Sequence, residues 1–373
     1  MTSPVLPDRP VPLVLVGAGG MGRAWLSTIL AEPGAELAGV VDLDLDAARA
    51  AVESAGAPGT PVGRDAVGLA RRTGARAVVN VTVPRAHHPV TTAALLAGLA
   101  VLGEKPAAET VSRALSLVAA AEVTGQPFVV SQSRRYNHQL FAYREQARAL
   151  GDLGVLTTEF FKAPHFGGFR EEMPHPLLVD MAIHQFDTAR FLLDAEPVSV
   201  YCEEYNPSWS WYSGSAAATA VFEMTGGVRY AYTGSWCSPG LETSWNGSWR
   251  LSGAAGTALW DGDHDPVLDR QPPTDPPHEV PAPEAPGEGI AGSLRTFLAA
   301  LDGGEVPMGE VHDNVLSLVM VEAAVESATT GARVQVDDVL ERAHRQALAE
   351  ETREDVRARL ASWTSVRAAL ADR

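Results

Sequence analysis

The chain has little cysteine, no long hydrophobic run and a deficit of positive charge. Its two cysteines, Cys202 and Cys237, lie far apart without a C-x-x-C spacing, which disfavours a disulfide framework or a cysteine-based zinc site. No apolar run approaches the roughly 20 residues that span a bilayer. The first twelve residues lack the charged and apolar regions of a signal peptide, so we expect a cytoplasmic protein.

The charge balance excludes a second class of partner. Lysine and arginine total 29 against 46 acidic residues, a net charge of −17. Such a surface repels nucleic acid and anionic membranes, and no basic run provides a local exception. The 373 residues, of which 46% are hydrophobic, are enough for two globular domains. We therefore expect small-molecule ligands, with neither nucleic acid nor a membrane as partner.

The first third of the chain alternates short apolar runs with helical patterns. Continuous apolar strands that alternate with helices predict a parallel sheet covered on both faces, which is an α/β Rossmann domain at residues 1–134. The predicted strands are Leu13–Val16, Leu37–Val41, Ala77–Val83, Ala100–Leu102 and Phe128–Ser131. The predicted helices are Met21–Ala31, Asp46–Ala55, His87–Ala97 and Val111–Val123.

The pattern changes after residue 135. Helices are predicted at Asn137–Leu150 and Leu177–Leu193, with one strand between them. From Val198 to Trp260 strand follows strand with no helix between, so residues 135–337 are predicted to form an α+β domain with a large, mostly antiparallel sheet. The predicted strands are Val155–Lys162, Val198–Tyr205, Ala216–Glu223, Val228–Trp236 and Ser248–Leu251. Residues 271–287 are rich in proline and acid and predict a surface excursion. Helices at Ile290–Leu301 and Asn314–Thr329 precede a helical extension at 338–373.

A glycine-rich turn at Gly17–Gly22 marks a dinucleotide site. Gly17, Gly19 and Gly22 fit G-x-G-x-x-G, and the turn, which includes Gly20 and Met21, follows an apolar strand and opens a helix. The first glycine allows a tight turn, the second lets backbone N–H groups approach a pyrophosphate, and the third allows close helix–strand packing. The helix N-terminus adds partial positive charge.

Asp42 supports NAD as the cofactor. It ends the second apolar run, 20 residues beyond Gly22, where an acid accepts hydrogen bonds from ribose hydroxyls and repels a 2′-phosphate. No arginine follows it directly, so NAD is favoured over NADP. Related Rossmann proteins bind FAD or S-adenosylmethionine, and a plain glycine turn with a solvated aspartate is the structural alternative.

Three further segments occur in a characteristic order. They are Asn80–Pro84 with His88 downstream, Gly103-Glu104-Lys105-Pro106, and a D-x-x-x-H helix within Leu177–Asp187. Together with the glycine turn, this set resembles the glucose–fructose oxidoreductase, inositol dehydrogenase and MocA family over roughly residues 11–337.

The resemblance implies a two-domain NAD(P)-dependent oxidoreductase that acts on sugars, cyclitols and related polyols. Family members often associate through the C-terminal sheet, which implies a homodimer or homotetramer. The resemblance makes Lys105, Asp180 and His184 the catalytic residues. It also places Val83, Pro84, Glu104 and Lys105 at the cofactor, together with His88, for which structural packing is an equal alternative.

Residue chemistry independently supports this catalytic set. Lys105 follows an apolar strand at the carboxyl edge of a parallel sheet, where such folds bind ligands. Asp180 and His184 share one helix face through their i, i+4 spacing. Removing hydride from a secondary alcohol requires a base that takes the hydroxyl proton, and His184 suits that role, while Lys105 can hydrogen-bond the same oxygen and stabilise developing alkoxide charge. The family resemblance allows either the lysine or the histidine as the acid/base. A solvated lysine and a structural helix pair are the alternatives.

The substrate side is less determined by the sequence. Arg135 is predicted to contact cofactor or substrate, or to form an inter-domain salt bridge. His165 and Arg170 lie in a glycine-containing loop before the catalytic helix, and Arg170 suits a carboxylate or phosphate. Trp236 is a candidate for stacking on a sugar, with core packing as its alternative. No recognised ligand spacing supports a metal site that uses His165 or His175.

Two other functions fit the same residues. The first is a redox-transient epimerase, lyase or glycosidase that holds NAD tightly and regenerates it. The second is a ligand sensor that retains the fold without catalysis, which the intact Lys105, Asp180 and His184 disfavour.

Overall fold

The structure is a computed structural model that describes residues 9–272 and 286–371. Most of the predicted proline-rich excursion at 271–287 lies outside the described residues. The chain divides into two compact units. The first comprises Met1–Tyr136, Pro286–Val315 and Glu341–Arg373, and the second comprises Asn137–Ala285 and Leu316–Leu340.

The first unit contains a six-stranded parallel sheet in the order β3-β2-β1-β4-β5-β6, which confirms the Rossmann prediction. Its strands are β1 (Val11–Val16), β2 (Ala35–Val41), β3 (Val62–Gly63), β4 (Ala77–Asn80), β5 (Ala100–Glu104) and β6 (Phe128–Ser131). Its helices in this stretch are α1 (Gly20–Ala31), α2 (Leu45–Ser54), α3 (Ala66–Thr73), α4 (Pro84–Leu96) and α5 (Val111–Thr124). The strand order reverses between β1 and β4, the point at which open α/β sheets bind ligands.

Local chemistry explains most of these boundaries. Asp44, Asp65 and Thr110 precede α2, α3 and α5, and each side chain accepts a hydrogen bond from a backbone N–H of the first turn. Pro84 stands at the first turn of α4, where its missing N–H costs nothing. The apolar and helical patterns of the sequence did not predict β3 or α3, and β3 spans only two residues, too few for a periodic signal.

The second unit contains an eight-stranded sheet in the order β13-β12-β11-β7-β10-β9-β8-β14. The strands are β7 (Leu153–Phe161), β8 (Pro197–Tyr205), β9 (Ala217–Met224), β10 (Arg229–Ser235), β11 (Ser248–Gly253), β12 (Gly256–Trp260), β13 (Val267–Arg270) and β14 (Val334–Gln335). The pairing is antiparallel except for β10 beside β7, so the predicted mostly antiparallel sheet is confirmed.

Two helices of the second unit flank its strands: α6 (His138–Arg148) and α7 (Ile183–Leu193). A π-helical turn, Leu177–Ala182, leads directly into α7, and such turns are frequent at functional sites. Phe186 of α7 packs edge-on against Phe222 and Tyr232, with ring centroids 4.8 and 5.3 Å apart. These contacts define the face of the sheet that the helix covers.

The C-terminal helices are α8 (Gly289–Ala300), α9 (Val311–Thr330), α10 (Val336–Glu350), α11 (Glu354–Ala361) and α12 (Val366–Ala371). The sequence assigned residues 286–315 to the second domain and 338–373 to an extension, whereas the structure packs 286–315 and 341–373 with the first unit. Leu294, Phe297 and Leu298 of α8 share the core that contains Trp25 and Leu26. Burial of this apolar helix face completes the core of the first unit. The position of α8 in the sequence, after the strands of the second unit, does not reveal this packing. Among the described residues, no helix is long and apolar enough to cross a membrane.

Candidate active site

The glycine turn between β1 and α1 is closely packed at its two ends. Gly17 has a φ of 104°, and a Cβ there would lie 2.6 Å from the carbonyl oxygen of Val81. A Cβ on Gly22 would lie 2.0 Å from the carbonyl oxygen of Gly17. Both positions therefore require glycine, one for its backbone conformation and one for close packing.

The middle of the same turn is open. A Cβ on Gly19 or Gly20 would meet no described atom within 4 Å, and α1 begins at Gly20. Met21 is 47% exposed in the first turn of that helix. Open space above the N-terminal N–H groups of a helix suits a pyrophosphate, so the residues present fit a dinucleotide.

Asp42 lies beside the glycine turn. One carboxylate oxygen accepts a hydrogen bond from the Ala18 N–H at 2.7 Å, and the other accepts one from the Asp44 N–H at 2.9 Å. The carboxylate therefore ties the end of β2 to the glycine turn. An ionised carboxylate has further lone pairs, which remain suitable acceptors for ribose hydroxyls.

The loop between β4 and α4 is fixed by Asn80, a residue that the sequence analysis quoted without assigning it a role. Its side-chain oxygen accepts from the Thr82 N–H and hydroxyl, and its Nδ2 donates to the His87 carbonyl and to Thr91 Oγ1. Val83, which precedes Pro84 and α4, is 44% exposed. These bonds hold the loop at the carboxyl edge of the sheet.

The adjacent histidines His87 and His88 face different parts of the first unit. His88 Nε2 lies 3.4 Å from Ser116 Oγ on α5, and that hydroxyl donates to Glu351 at 2.6 Å. Burial, aided by Arg113, lowers the pKa of His88. His87 is buried, with Nδ1 2.6 Å from the carbonyl oxygen of Pro106 and Nε2 2.9 Å from that of Thr82.

Glu104 and Lys105 form a turn at the carboxyl end of β5. Glu104 Oε1 accepts a hydrogen bond from Trp25 Nε1 at 2.7 Å, and Oε2 accepts one from the Lys105 N–H at 3.2 Å. In the strand order, β5 lies two strands from β1. At about 4.8 Å per strand, Lys105 begins roughly 10 Å along the sheet edge from the glycine turn.

Arg135 forms an ion pair with Asp313, with an N–O distance of 2.9 Å and the arginine side chain 7% exposed. Both residues belong to the first unit, so this pair is not the inter-domain salt bridge that the sequence offered as one alternative. The pair joins the segment after β6 to the start of α9.

In the second unit, Asp180 lies in the π-helical turn and His184 in the first turn of α7. Arg170, from the preceding loop, donates through Nε to Asp180 Oδ2 at 2.7 Å. The guanidinium group also lies over the rings of Phe166 and Phe169, at 5.4 and 4.9 Å from their centroids. The structure thus brings two predicted residues, Arg170 and Asp180, into direct contact.

The predicted substrate residues His165 and Trp236 belong to one aromatic cluster. His165 stacks on Trp211 with centroids 3.7 Å apart, and Trp236 contacts Phe166 at 5.4 Å and Tyr212 at 5.9 Å. Trp236 is 1% exposed, so its ring packs inside the cluster. Burial is the main reason that the pKa of Tyr212 rises to about 12.

A further pair in the second unit escaped sequence analysis. His175 hydrogen-bonds Glu204 through Nδ1 at 2.5 Å. That bond raises the pKa of His175, whereas burial raises the pKa of Glu204. The two residues are 29 positions apart, and no local pattern links them. Within the described ranges, no group of histidine, cysteine and acidic residues has the arrangement of a metal site.

Two family models match this chain. An oxidoreductase family model with an NAD-binding Rossmann fold matches residues 11–132. The model of the GFO/IDH/MocA C-terminal domain matches residues 144–259. The two matches together cover more than half of the chain and fall on the sheet-bearing parts of its two units.

Named relatives and solved structures agree with these models. The chain is 28% identical to D-apiose dehydrogenase of Paraburkholderia graminis over 86% of this chain and 88% of that protein. It is 32% identical to inositol 2-dehydrogenase of an Arthrobacter species over 50% of this chain and 56% of that protein.

The fold also resembles myo-inositol dehydrogenase from Lactobacillus casei in complex with NAD(H) and myo-inositol. That comparison has a TM-score of 0.73 and 20% identity, and it covers 87% of this chain and 96% of the other. With the glycine turn, the Glu104–Pro106 turn and the D-x-x-x-H helix in place, the chain belongs to the GFO/IDH/MocA family of oxidoreductases and carries its NAD-binding Rossmann domain.

Proposed function

We propose that the protein is an NAD-dependent dehydrogenase that oxidises a secondary hydroxyl of a sugar, cyclitol or related polyol. The observation that carries the proposal is the placement of Lys105 at the same sheet edge as the glycine turn, two strands away. A cation at this edge suits an oxygen that gains negative charge in the reaction. The dehydrogenases of apiose and inositol among the relatives support the substrate class.

The first unit would hold the cofactor. The N–H groups at the start of α1 face the open side of the glycine turn, where a pyrophosphate fits, and Asp42 accepts hydrogen bonds from the ribose. Val83, Pro84, His88 and Glu104 complete the proposed cofactor residues. When bound, NAD supplies the hydride acceptor.

The proton chemistry belongs to three side chains. In the proposed reaction the substrate C–H bond breaks with its electron pair as hydride, and the hydroxyl proton leaves at the same carbon. Lys105 hydrogen-bonds the hydroxyl oxygen, and His184 accepts the proton. Asp180 holds His184 or a neighbouring hydroxyl, and Arg170 holds Asp180 in turn. The products are the ketone, NADH and a proton.

A substrate panel tests this proposal. Cyclitols, aldoses and sugar acids are incubated with NAD and with NADP, and the absorbance of the reduced cofactor is followed. We expect turnover with NAD, and its loss in Lys105→Ala and His184→Ala. Full turnover in both variants would show that the catalytic assignment is wrong. Protein that retains NAD(H) through desalting and forms product without net NADH would instead be a redox-transient enzyme.

We also propose that the enzyme is a cytoplasmic homo-oligomer that associates through the sheet of the second unit. The face opposite α7 carries exposed or half-buried apolar side chains, among them Val155 at 44%, Tyr201 at 37% and Leu259 at 43% exposure. Neighbouring Ala231 and Val221 pair across β10 and β9 on this face, which also carries charges of both signs, among them Glu159, Glu203, Arg229 and Arg250. A sheet face that mixes apolar side chains with charges of both signs suits a second copy of the same sheet.

Light scattering tests the association. A Val155→Arg variant puts a charge in the middle of the proposed interface and should shift the mass toward one chain of 39.5 kDa. Leu241→Arg is the matched control, because Leu241 is fully exposed on a loop outside the strands. An unchanged mass in Val155→Arg would exclude this face as the interface.

A further inference from the structure

The turn that carries Lys105 is held from two sides by aromatic side chains. Trp25 of α1 is fully buried, and its Nε1 donates to Glu104 Oε1 at 2.7 Å across 79 positions of sequence. An indole N–H is only a donor, and a hydrogen bond to a carboxylate is stronger than one between neutral groups. Any large apolar ring could fill this space, so the hydrogen bond adds a specific link between α1 and the turn. We call this link, and the matching one from His87, a tether of the Lys105 turn.

His87 holds the other end of the same turn. Its Nδ1 lies 2.6 Å from the carbonyl oxygen of Pro106. Burial lowers the pKa of His87, while the contacts with the carbonyl oxygens of Pro106 and Thr82 act in the opposite direction. A carbonyl oxygen can only accept a hydrogen bond, so the 2.6 Å contact places an N–H on Nδ1. His87 therefore donates to Pro106, the residue that follows Lys105.

The two tethers come from elements that also shape the cofactor region. Trp25 lies one helical turn beyond Gly22, and His87 lies in the first turns of α4, where its carbonyl accepts from Asn80. Lys105 stands between the two anchored residues, Glu104 and Pro106. A displacement of the turn would move the Lys105 backbone, and with it the origin of the side chain that carries the ammonium.

We propose that Trp25 and His87 are positioning residues that fix the Lys105 ammonium at the reacting oxygen. The inference rests on the proposed role of Lys105. A misplacement of about 1 Å at a reacting group can lower a rate about 100-fold. Loss of either tether should therefore lower kcat by roughly 10- to 100-fold while KM and NAD affinity stay nearly constant.

The sequence offers a spectroscopic readout that needs no substrate. The chain has only two lysines, Lys105 and Lys162. Reductive methylation with ¹³C-formaldehyde keeps their charge and gives each one a resolvable methyl signal beside that of the α-amino group. Saturating NAD should shift the Lys105 signal through the nicotinamide ring and leave the Lys162 signal almost unchanged, because its Nζ is held by Glu242 at 2.9 Å.

Trp25→Phe removes the donor and keeps an aromatic ring, while His87→Leu removes the second tether. Matched controls come from the C-terminal helices of the same unit. Trp363 Nε1 donates to Glu122 at 3.2 Å, and His344 Nε2 lies 2.9 Å from the Leu360 carbonyl oxygen. Trp363→Phe and His344→Leu therefore delete the same groups away from the turn.

The expected result is a smaller NAD-induced shift of Lys105 in Trp25→Phe and His87→Leu than in wild type and both controls. In the same two variants kcat falls, and calorimetry gives an unchanged dissociation constant for NAD. His87→Gln, whose amide can still donate to Pro106, should recover part of the loss, whereas His344→Gln and His344→Leu should behave alike. If Trp25→Phe does not fold, the pair His87→Leu and His87→Gln decides.

Four results would overturn the inference. A wild-type Lys105 signal and kcat in Trp25→Phe and His87→Leu would show that the contacts are only structural. A loss of NAD affinity in step with kcat would assign both side chains to cofactor binding. Full turnover in Lys105→Ala, measured in parallel, would contradict the proposed function itself, and the inference would fail with it. Loss in Lys105→Ala without loss in the tether variants would refute the inference alone.

Discussion

The two sheets of this protein carry their functional residues in different ways. In the parallel sheet of the first unit, the glycine turn, Asp42, Asn80 and Glu104–Lys105 each end a strand or follow one directly. All carboxyl ends of a parallel sheet meet at one edge, so strand order alone brings these residues together. In the mixed sheet of the second unit, Arg170, Asp180 and the aromatic cluster meet through loops and a π-helical turn.

This contrast separates residues that a motif can locate from residues that only packing assembles. The first kind should show large, specific effects on cofactor binding or chemistry. The second kind is proposed to act on the substrate, so substitutions there should leave NAD affinity unchanged.

The two lysines give the largest expected difference between the units. Lys105→Met should lower kcat by about 1000-fold, since it removes the group proposed to bind the reacting oxygen. Lys162→Met makes the same change in the second unit, where the ammonium pairs with Glu242 and lies 5.0 Å from the Trp245 ring centroid. Steady-state kinetics check both variants. An equal loss of kcat in the two variants would contradict the difference expected between the two lysines.

Two glycines of the turn should separate packing from binding. Gly22→Ala places a methyl group against the Gly17 carbonyl and should destabilise the apoprotein by about 3 kcal/mol, measured by denaturant unfolding. Gly19→Ala enters open space, so stability should hold while NAD affinity falls. A stable Gly22→Ala variant would contradict the close packing of this turn.

Arg170 tests the second unit. Arg170→Gln deprives Asp180 of its charged hydrogen bond and should lower kcat/KM for the polyol about tenfold with no change in NAD affinity. The same substitution at Arg144 provides the control. Arg144 also lies over an aromatic ring, that of Phe191, and beside an acid, Asp194. A change in NAD affinity in Arg170→Gln would contradict the proposal that the residues of the second unit act on the substrate and not on the cofactor.

The smallest expected effect is a pH dependence of stability within the first unit. Burial opposes protonation of His312, but hydrogen bonds with Glu122 and Glu310 outweigh burial and raise its pKa to about 9. A raised histidine pKa stabilises the folded state fully below pH 6.5 and loses that contribution as pH rises through about 9.

Thermal unfolding at a series of pH values checks this contribution of His312. Wild type should lose about 1 kcal/mol between neutral pH and pH 9, allowing for partial solvent screening. His312→Gln should show a flatter curve over the same range. If the stability of His312→Gln fell with pH as steeply as that of wild type, the pH dependence would arise from other groups.

Much of the fold was predictable because its signals are local. Apolar runs located β1, β2, β5 and β6, and helical patterns located α1, α2, α4 and α5 between them. The strand prediction at Ala77–Val83 extended beyond β4, which ends at Asn80 because that side chain turns back to bind its own loop. The sequence assigned α8 to the second domain, whereas it packs in the first core, because an apolar helix face does not by itself specify the core that it joins.

The sequence by itself determined the parallel sheet, the dinucleotide turn and the order of the catalytic candidates. Each of these is indicated by short runs of residues that are contiguous in the chain. Only the tertiary structure decided that Trp25 and His87 bind the Lys105 turn, that Arg170 pairs with Asp180, and that residues 286–315 and 341–373 join the first unit. Those contacts join residues far apart in the chain, and their partners are chosen by packing and hydrogen-bond satisfaction, which leave no periodic trace in the sequence.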